Sequence, residues 1–341
     1  GGFLRSGAFK PKQFEGDREN IVNLYRDRGF LDAAILDVRQ DLRADRERMD
    51  ILIRVSEGEQ YTVGDINWEE NTKFDDKAIA ERVTMAKGQI FSEGDYQQML
   101  DGLRALYYDN GYIYATVEPR REIKDRAVNL ALTFYEGREA HIRDIRVVDN
   151  ARTYDRVVLR ELSIFPGDVF SQSKILRSQR DIMQLGYFEE VLPEPLQAPT
   201  DGDIDLVLRV KEKQTGQFSF GMAYSAQTSA TGFIQVADNN FLGRGQTVGL
   251  AWQFGSRRRY VDLSFTEPWF RGTPTTLGAD IFDRYQYNYD DFYESRARGF
   301  ALRLGRRIPG TRNSRVSLRY ELSATRLSIF SSEYVAYLDG L

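Results

Sequence analysis

Two residue types that most often do nucleophilic and metal chemistry are all but missing from this chain. Cysteine is absent and there is one histidine, His141, in "YEGREAHIRDIRV". A disulfide framework, a thiolate nucleophile and a Cys/His metal site are therefore excluded, and His141 reads as a surface or linker residue. Gly243 and Gly245 in "NNFLGRG" lack the GxGxxG spacing and the following helix of a phosphate loop. No catalytic, metal-binding or cofactor-binding residue is expected, and the chain does not read as an enzyme. A different pattern stands out in "VDLSFTEPWFRGTP", which begins as an alternating strand and meets Glu267-Pro268. Proline has no N–H to donate, so the ladder must end there. Trp269 and Phe270 follow, at the place where a membrane strand would leave hydrocarbon, a depth that suits amphipathic rings.

The elements that place these residues divide near Gln214. The stretch after it carries fifteen basic residues, all arginine, against eleven acids, whereas the whole chain has a formal charge of -4. The acidic first part resembles an ordinary soluble surface and argues against nucleic-acid binding. No apolar run reaches the roughly 18 residues of a transmembrane helix. A membrane β-barrel is compatible with the composition, because its strands need only about ten alternating residues each.

The first part repeats. "LYRDRGFLDAAI", "LYYDNGYIYATV" and "IMQLGYFEEVL" each pass from a helix end through Gly29, Gly111 or Gly186 into extended residues. Each then leads to an alternating strand that ends in Glu57, Glu136 or Glu212. In the middle copy, "VGDINWEEN" predicts a strand, "DDKAIAERVTMA" a short helix and residues 95–110 a longer one. On that longer helix Tyr96, Met99, Leu100, Leu103, Leu106 and Tyr107 share one apolar face. Ser92 and Asp95 frame its start, and Gly111 falls where a positive φ is wanted. The order β-α-α-β-β predicts helices packed on one face of a three-stranded sheet. The opening strand of the first copy is missing, so the chain is expected to start within a domain.

After residue 214 the period becomes two. Phe218, Phe220, Met222 and Tyr224 lie opposite Ser219, Gly221 and Ala223. Val248, Leu250, Trp252 and Phe254 oppose Gly249, Ala251 and Gln253, and the pattern recurs in "YVDLSFT" and "RVSLRYEL". A soluble sheet with one wet face alternates too. A small, polar and charged second face with aromatics near strand ends favours a barrel wall. About seven strands fit, too few to close a barrel without bare edges in lipid, and "YVAYLDGL" does not read as a closing strand. A fragment of a longer protein is expected. The expected divisions are 1–58, 59–138, 139–214 and 215–341. The fold class is α+β repeats followed by part of an antiparallel transmembrane β-barrel.

The repeats resemble the POTRA domain. Followed directly by "NNFLGRG" (Asn239, Asn240, Phe241, Gly243 and Gly245 among its residues) and by "FTEPWF" (Phe265, Thr266, Glu267, Pro268, Trp269, Phe270), they resemble the outer-membrane insertase superfamily over essentially the whole chain. Glu267 replaces that family's commoner aspartate. From the residues alone, Asn239-Asn240, Gly243 and Gly245 supply positive-φ positions for a turn, and Phe241 and Leu242 anchor it. Arg298-Gly299-Phe300 matches a late family motif in letters only and reads as ordinary strand. Arg257-Arg258-Arg259 reads as a solvated turn beside a membrane, with anionic-lipid contact as the other reading.

The resemblance implies an outer-membrane location in a Gram-negative-type bacterium, with the repeats in the periplasm. It implies unfolded β-barrel proteins, periplasm-facing lipoproteins and outer-membrane lipid as partners, and no cofactor. It also implies a templating strand at Gln217 to Ser225, with Phe218, Phe220, Gly221, Met222 and Tyr224, that pairs weakly and opens sideways. Two other readings stay open: a TamA-like factor or two-partner secretion transporter of the same superfamily, and a soluble binding protein built from repeats and a β-sandwich.

Overall fold

A computed structural model describes residues 9–43, 49–199, 202–226, 229–288, 293–308, 311 and 314–329. The chain divides into two compact units. The first comprises Gly1–Asp144, Ile164–Lys174 and Leu196–Asp205, and the second Ile145–Ser163, Ile175–Pro195 and Leu206–Leu341.

In the first repeat, α1 (Pro11–Arg26) precedes the antiparallel pair β1 (Ala34–Leu42) and β2 (Met49–Ser56). Pro11 occupies the helix start, where its missing N–H costs nothing. The second repeat runs β3 (Thr62–Glu69), α2 (Asp76–Ala80), α3 (Glu93–Asp109), β4 (Thr116–Lys124) and β5 (Ala127–Tyr135). Its sheet order is β3-β5-β4, with β3 parallel and β4 antiparallel to the central β5. This is the expected β-α-α-β-β unit. The helix expected over "DDKAIAERVTMA" is shorter than its pattern: Asp75 caps it by accepting from the Ala78 amide at 2.9 Å, and it ends at Ala80. The β-branched pair Val83-Thr84 does not favour continuation, and the turn it enters delivers Met85 and Phe91 to the core.

α3 follows the sequence closely. The Ser92 hydroxyl accepts from the Asp95 amide at 3.1 Å, and Gly111 just past the helix takes φ 95°. Tyr96, Met99, Leu100, Leu103 and Tyr107 are buried against Val128, Leu130, Leu132 and Phe134 of β5, while Leu106 is half-buried. Each such side chain contributes about 1.5–3 kcal/mol of apolar burial.

The third repeat contains β6 (Ile142–Val148), α4 (Asp155–Leu159), α5 (Gln172–Gln184), β7 (Phe188–Gln197) and β8 (Ile204–Glu212), in sheet order β6-β8-β7. The acids that end the last strands have one job in both complete repeats. Glu136 accepts from the Lys73 amide at 2.9 Å, from the Tyr107 hydroxyl at 2.8 Å and from Thr72. Glu212 accepts from the amides of Arg152 and Thr153 at 3.0 and 2.7 Å. Each carboxylate closes the loop that follows its repeat's opening strand. In those loops Asn71 and Asn150 brace the turn identically, donating to Phe74 O and Asp76, and to Thr153 O and Asp155. Burial pushes the Glu136 pKa up, but the Thr72, Lys73 and Tyr107 donors outweigh it and the net shift is downward.

Successive repeats in the first unit are joined by a recurring pair of contacts. The Tyr61 amide donates to Gly29 O at 2.8 Å and the Ala140 amide to Gly111 O at 2.9 Å. Two residues before each glycine, Asp27 accepts from the Gly94 amide at 2.8 Å and Asp109 from the Ser173 amide at 2.7 Å. Both aspartates cap the first turn of the next repeat's long helix, a favourable place for negative charge.

Seven antiparallel strands follow: β9 (Gly216–Ser225), β10 (Ser229–Phe241), β11 (Gln246–Gly255), β12 (Arg258–Glu267), β13 (Thr275–Asn288), β14 (Tyr293–Arg307) and β15 (Arg315–Ile329). They pair strictly in sequence, and among the described residues the sheet is open, with β9 and β15 at its edges.

Candidate functional site: the apolar sheet face, its first edge and the strand-end joint

The sheet register aligns one apolar residue from every strand: Phe218, Val236, Leu250, Leu263, Ile281, Phe300 and Leu322 are paired in succession. All seven side chains are exposed. On β9 the apolar run extends from Phe218 to Tyr224, whereas on β15 it occupies Val316 to Leu322. The band therefore slides by about six residues over six strand-to-strand steps. At about 3.3 Å per residue and 4.8 Å per strand, this makes an angle of about 35° between the strands and the normal to the band. Transmembrane barrel strands tilt by about 35–45°. A level hydrocarbon belt crossing tilted strands produces such a slide, and a core-facing sheet has no reason to.

The opposite face is polar and ion-paired. Arg284 meets Asp262 at 2.7 Å, Arg303 meets Asp280 at 2.8 Å, and Arg319 meets Glu321 at 2.7 Å. Arg303 also donates to Thr266 at 3.1 Å. Arg298-Gly299-Phe300 lies within β14 as ordinary strand.

β9 pairs only with β10 among the described residues. Three of its apolar side chains, Met222 at 84%, Tyr224 at 81% and Phe220 at 75% exposure, are the barest of the described sheet, and Phe218 is also exposed. Gly221 faces the polar side, where the Phe233 ring lies over it. An added Cβ would approach that ring to 2.7 Å. The glycine is thus a seat for an aromatic of β10 as well as a gap in β9.

The signature residues form a joint within the second unit. Asn239 and Asn240 belong to β10, and positive φ falls on Leu242, Gly243 and Gly245, not on the asparagines as expected. Phe241 and Leu242 are exposed and do not anchor the turn. The anchor is the buried Asn240, whose side chain donates to Thr153 Oγ1 at 2.8 Å and accepts from the Gly245 amide at 2.7 Å. Asp238 accepts from the Asn240 amide at 2.9 Å and from Thr215 at 2.7 Å. Gly243 O accepts from the Tyr154 amide at 2.9 Å, and a Cβ on Gly243 would collide with the Arg152 carbonyl.

In "FTEPWF", β12 ends at Glu267, as Pro268 requires. Phe265 is exposed on the apolar face and Thr266 faces the polar side. Glu267 accepts from Gln246 at 2.7 Å and from the Trp269 amide at 2.9 Å. The Trp269 indole donates to Glu161 at 3.1 Å, and Arg160 lies over its ring at 5.5 Å. Trp269 is therefore held against residues of the third repeat rather than offered to lipid headgroups. Phe270, 38% exposed, opens a short 3-10 turn. The Glu161 carboxylate is nearly buried, with Arg160 at 3.5 Å and Arg307 at 4.0 Å. Burial is the main influence on the Arg160 guanidinium, and it lowers its pKa against the opposing pull of Glu161. Sequence reasoning missed Thr153, Glu161 and Arg160, because a joint partner about a hundred residues away leaves no local pattern.

The POTRA family, described as a surface antigen variable number repeat, matches residues 2–58, 61–137 and 140–213, and the Omp85 superfamily domain matches residues 240–339. The chain belongs to the Omp85 superfamily. Among its relatives, a Treponema pallidum protein provisionally named an outer membrane protein assembly factor is 30% identical over 290 residues, covering 82% of this chain and 35% of that one. Outer membrane protein assembly factor BamA of Neisseria meningitidis is 28% identical over 285 residues, covering 82% of this chain and 36% of that protein. The Omp85 chain thus spans about a third of the length of the curated relatives it matches. In fold it is similar to crystalline Haemophilus ducreyi BamA lacking POTRA domains 1-3, with TM-score 0.68 at 24% identity, covering 79% of this chain and 52% of that structure.

Proposed function

We propose that this Omp85 protein is an outer-membrane assembly factor that receives unfolded β-barrel proteins and promotes their folding and insertion. The observation that carries the reading is β9: among the described residues it is an edge strand that pairs with β10 alone, with bare apolar side chains on the lipid face. In hydrocarbon an unpaired edge is costly, so an incoming strand that pairs with it is stabilised by main-chain hydrogen bonds with little demand on sequence. The substrate strand then enters lipid already paired. β3 and β4 are edges of the second repeat's sheet and offer the same kind of addition to an extended chain before it reaches the membrane. No bond is made or broken, and no cofactor enters the process. The repeats lie in the periplasm in this reading, where they also meet lipoproteins of an assembly complex.

The test is site-specific photo-crosslinking from β9 in the native full-length protein with a barrel substrate stalled in assembly. Capture of substrate terminal strands from Phe218, Phe220 and Tyr224 is expected. Crosslinks confined to the polar-side Ser219, Gly221 and Ala223 would place the substrate in the lumen and replace this reading with a secretion transporter.

A further inference from the structure

The charges that border the apolar band differ between its two ends. At the end away from the third repeat, the same sheet face carries Arg259 on β12, Asp283 on β13, Glu294, Arg296 and Arg298 on β14, and Arg326 on β15. That is four arginines against two carboxylates among the described residues. At the repeat end this face carries Arg306 against Asp238 and Glu267. Among the described strand residues, a cationic border thus marks one end only.

The pairing within the border is incomplete. Arg296 and Arg298 share Asp283 at 2.8 and 3.0 Å. Glu294 accepts from the Tyr285 hydroxyl at 3.0 Å, and Arg259 lies over the Tyr285 ring at 4.6 Å. Neither Arg259 nor Arg326 has a carboxylate partner among the described residues. Arg326 is also registered directly opposite Arg296, and like charges directly opposite across a strand pair repel. The polar face shows how this sheet handles the same problem. Arg303 and Arg319 are likewise directly opposite, and Asp280 lies 2.8 Å from the first and 3.9 Å from the second. On the apolar face Asp283 is committed to Arg296 and Arg298, and among the described residues Arg326 is left over.

We propose that the anion completing the Arg296–Arg326 pair is the phosphate of a membrane lipid with a net negative headgroup in the outward leaflet, with Arg298 on the same strand as Arg296 and Arg259 two strands away in the same register row. Arg298 stands one lipid-facing position beyond Phe300, about 7 Å along the strand, and Arg259, Arg296 and Arg326 share the next row, two positions or about 13 Å beyond Leu263, Phe300 and Leu322. Acyl chains of the same lipid lie against the row of Leu263, Ile281, Phe300 and Leu322, which brings its phosphate to the height of the arginines. The guanidinium fork suits phosphate oxygens and tolerates partial desolvation better than an ammonium. The run Arg257-Arg258-Arg259 thus contributes one lipid ligand, Arg259, while Arg258 pairs in register with Gln286 toward the polar side.

This inference rests on the membrane placement proposed above. It is tested by electron spin resonance of spin-labelled phosphatidylglycerol and phosphatidylcholine around the native full-length protein in phosphatidylcholine vesicles. The wild type is expected to select phosphatidylglycerol, the R259Q/R326Q variant to lower that selectivity by about fivefold or more, and R306Q to leave it in place. Selectivity retained in R259Q/R326Q, an equal loss in R306Q, or an inserted wild type with no preference would overturn the assignment. A wild type that does not enter the vesicles at all would instead sink the membrane placement.

Discussion

Replacing Gly243 by alanine probes the joint that the family signature builds. Gly243 has φ 70°, and a Cβ there meets the Arg152 carbonyl group and comes within 3.3 Å of Thr153 Cα. Left-handed backbone costs a non-glycine residue about 1–2 kcal/mol. The added methyl cannot be relieved by a side-chain rotation, since its neighbours are backbone, so the turn must move and give up the Tyr154 N–H to Gly243 O bond. Losing that bond adds about 1 kcal/mol, and disturbing the buried Asn240 contacts adds about as much again. Gly272 is the control: its φ is 72° and nothing lies within 4 Å of an added Cβ, so Gly272→Ala carries the strain without the collision. The difference between the two substitutions is about 2 kcal/mol, a change of roughly 30-fold in local opening. Amide hydrogen exchange at Tyr154 in the full-length protein in micelles reads this directly. Equal protection of Tyr154 in Gly243→Ala and Gly272→Ala would refute the argument that close backbone approach, and not conformation alone, requires glycine here.

Other expectations follow from the same contacts. Trp269→Phe keeps a ring under Arg160 but withdraws the N–H from nearly buried Glu161 and should destabilise the folded barrel by about 1–2 kcal/mol in denaturant titrations; an unchanged midpoint would count against the bond. Gly221→Ala must displace the Phe233 ring and should cost about 1–3 kcal/mol of overpacking, seen as a lower melting temperature, whereas a neutral result would mean that the seat is loose. Because the Glu136 pKa is lowered on folding, its contribution is complete above the unfolded value of about 4.3 and is lost as pH falls through the lower folded one. Acid titration of exchange protection in the second repeat should therefore show a slope that Glu136→Gln flattens, and identical slopes would show that the carboxylate is not the titrating clasp.

Much of this architecture was legible because it is periodic. The apolar face of α3, its Ser92 cap and the turn at Gly111 are local patterns, and the structure places them where spacing predicts. The seven strands were legible for the same reason, since alternation by two is written into each. The strand end at Glu267-Pro268 follows from the missing proline N–H. What was not legible depends on partners distant in the chain. Asn240 reads as a turn residue until Thr153 is brought beside it, and Trp269 reads as an interfacial aromatic until Glu161 supplies an acceptor. The α2 helix was overextended because Val83, Thr84 and Met85 carry helical spacing while their packing calls for a turn. The recurring roles of Asp27 and Asp109 were hidden because an aspartate before a glycine is common, and only the next repeat's helix start gives it a purpose.

The function proposed for this protein is assembly of barrels in the outer membrane. The most direct measurement is its conditional depletion in the source organism, followed by quantification of the whole set of outer-membrane β-barrel proteins. Assembly predicts that barrels of unrelated sequence decline together while their unfolded forms accumulate in the periplasm, and that a version lacking residues 217–225 fails to restore them. Unchanged barrel levels with the loss of one secreted polypeptide would contradict the account and assign the chain to secretion.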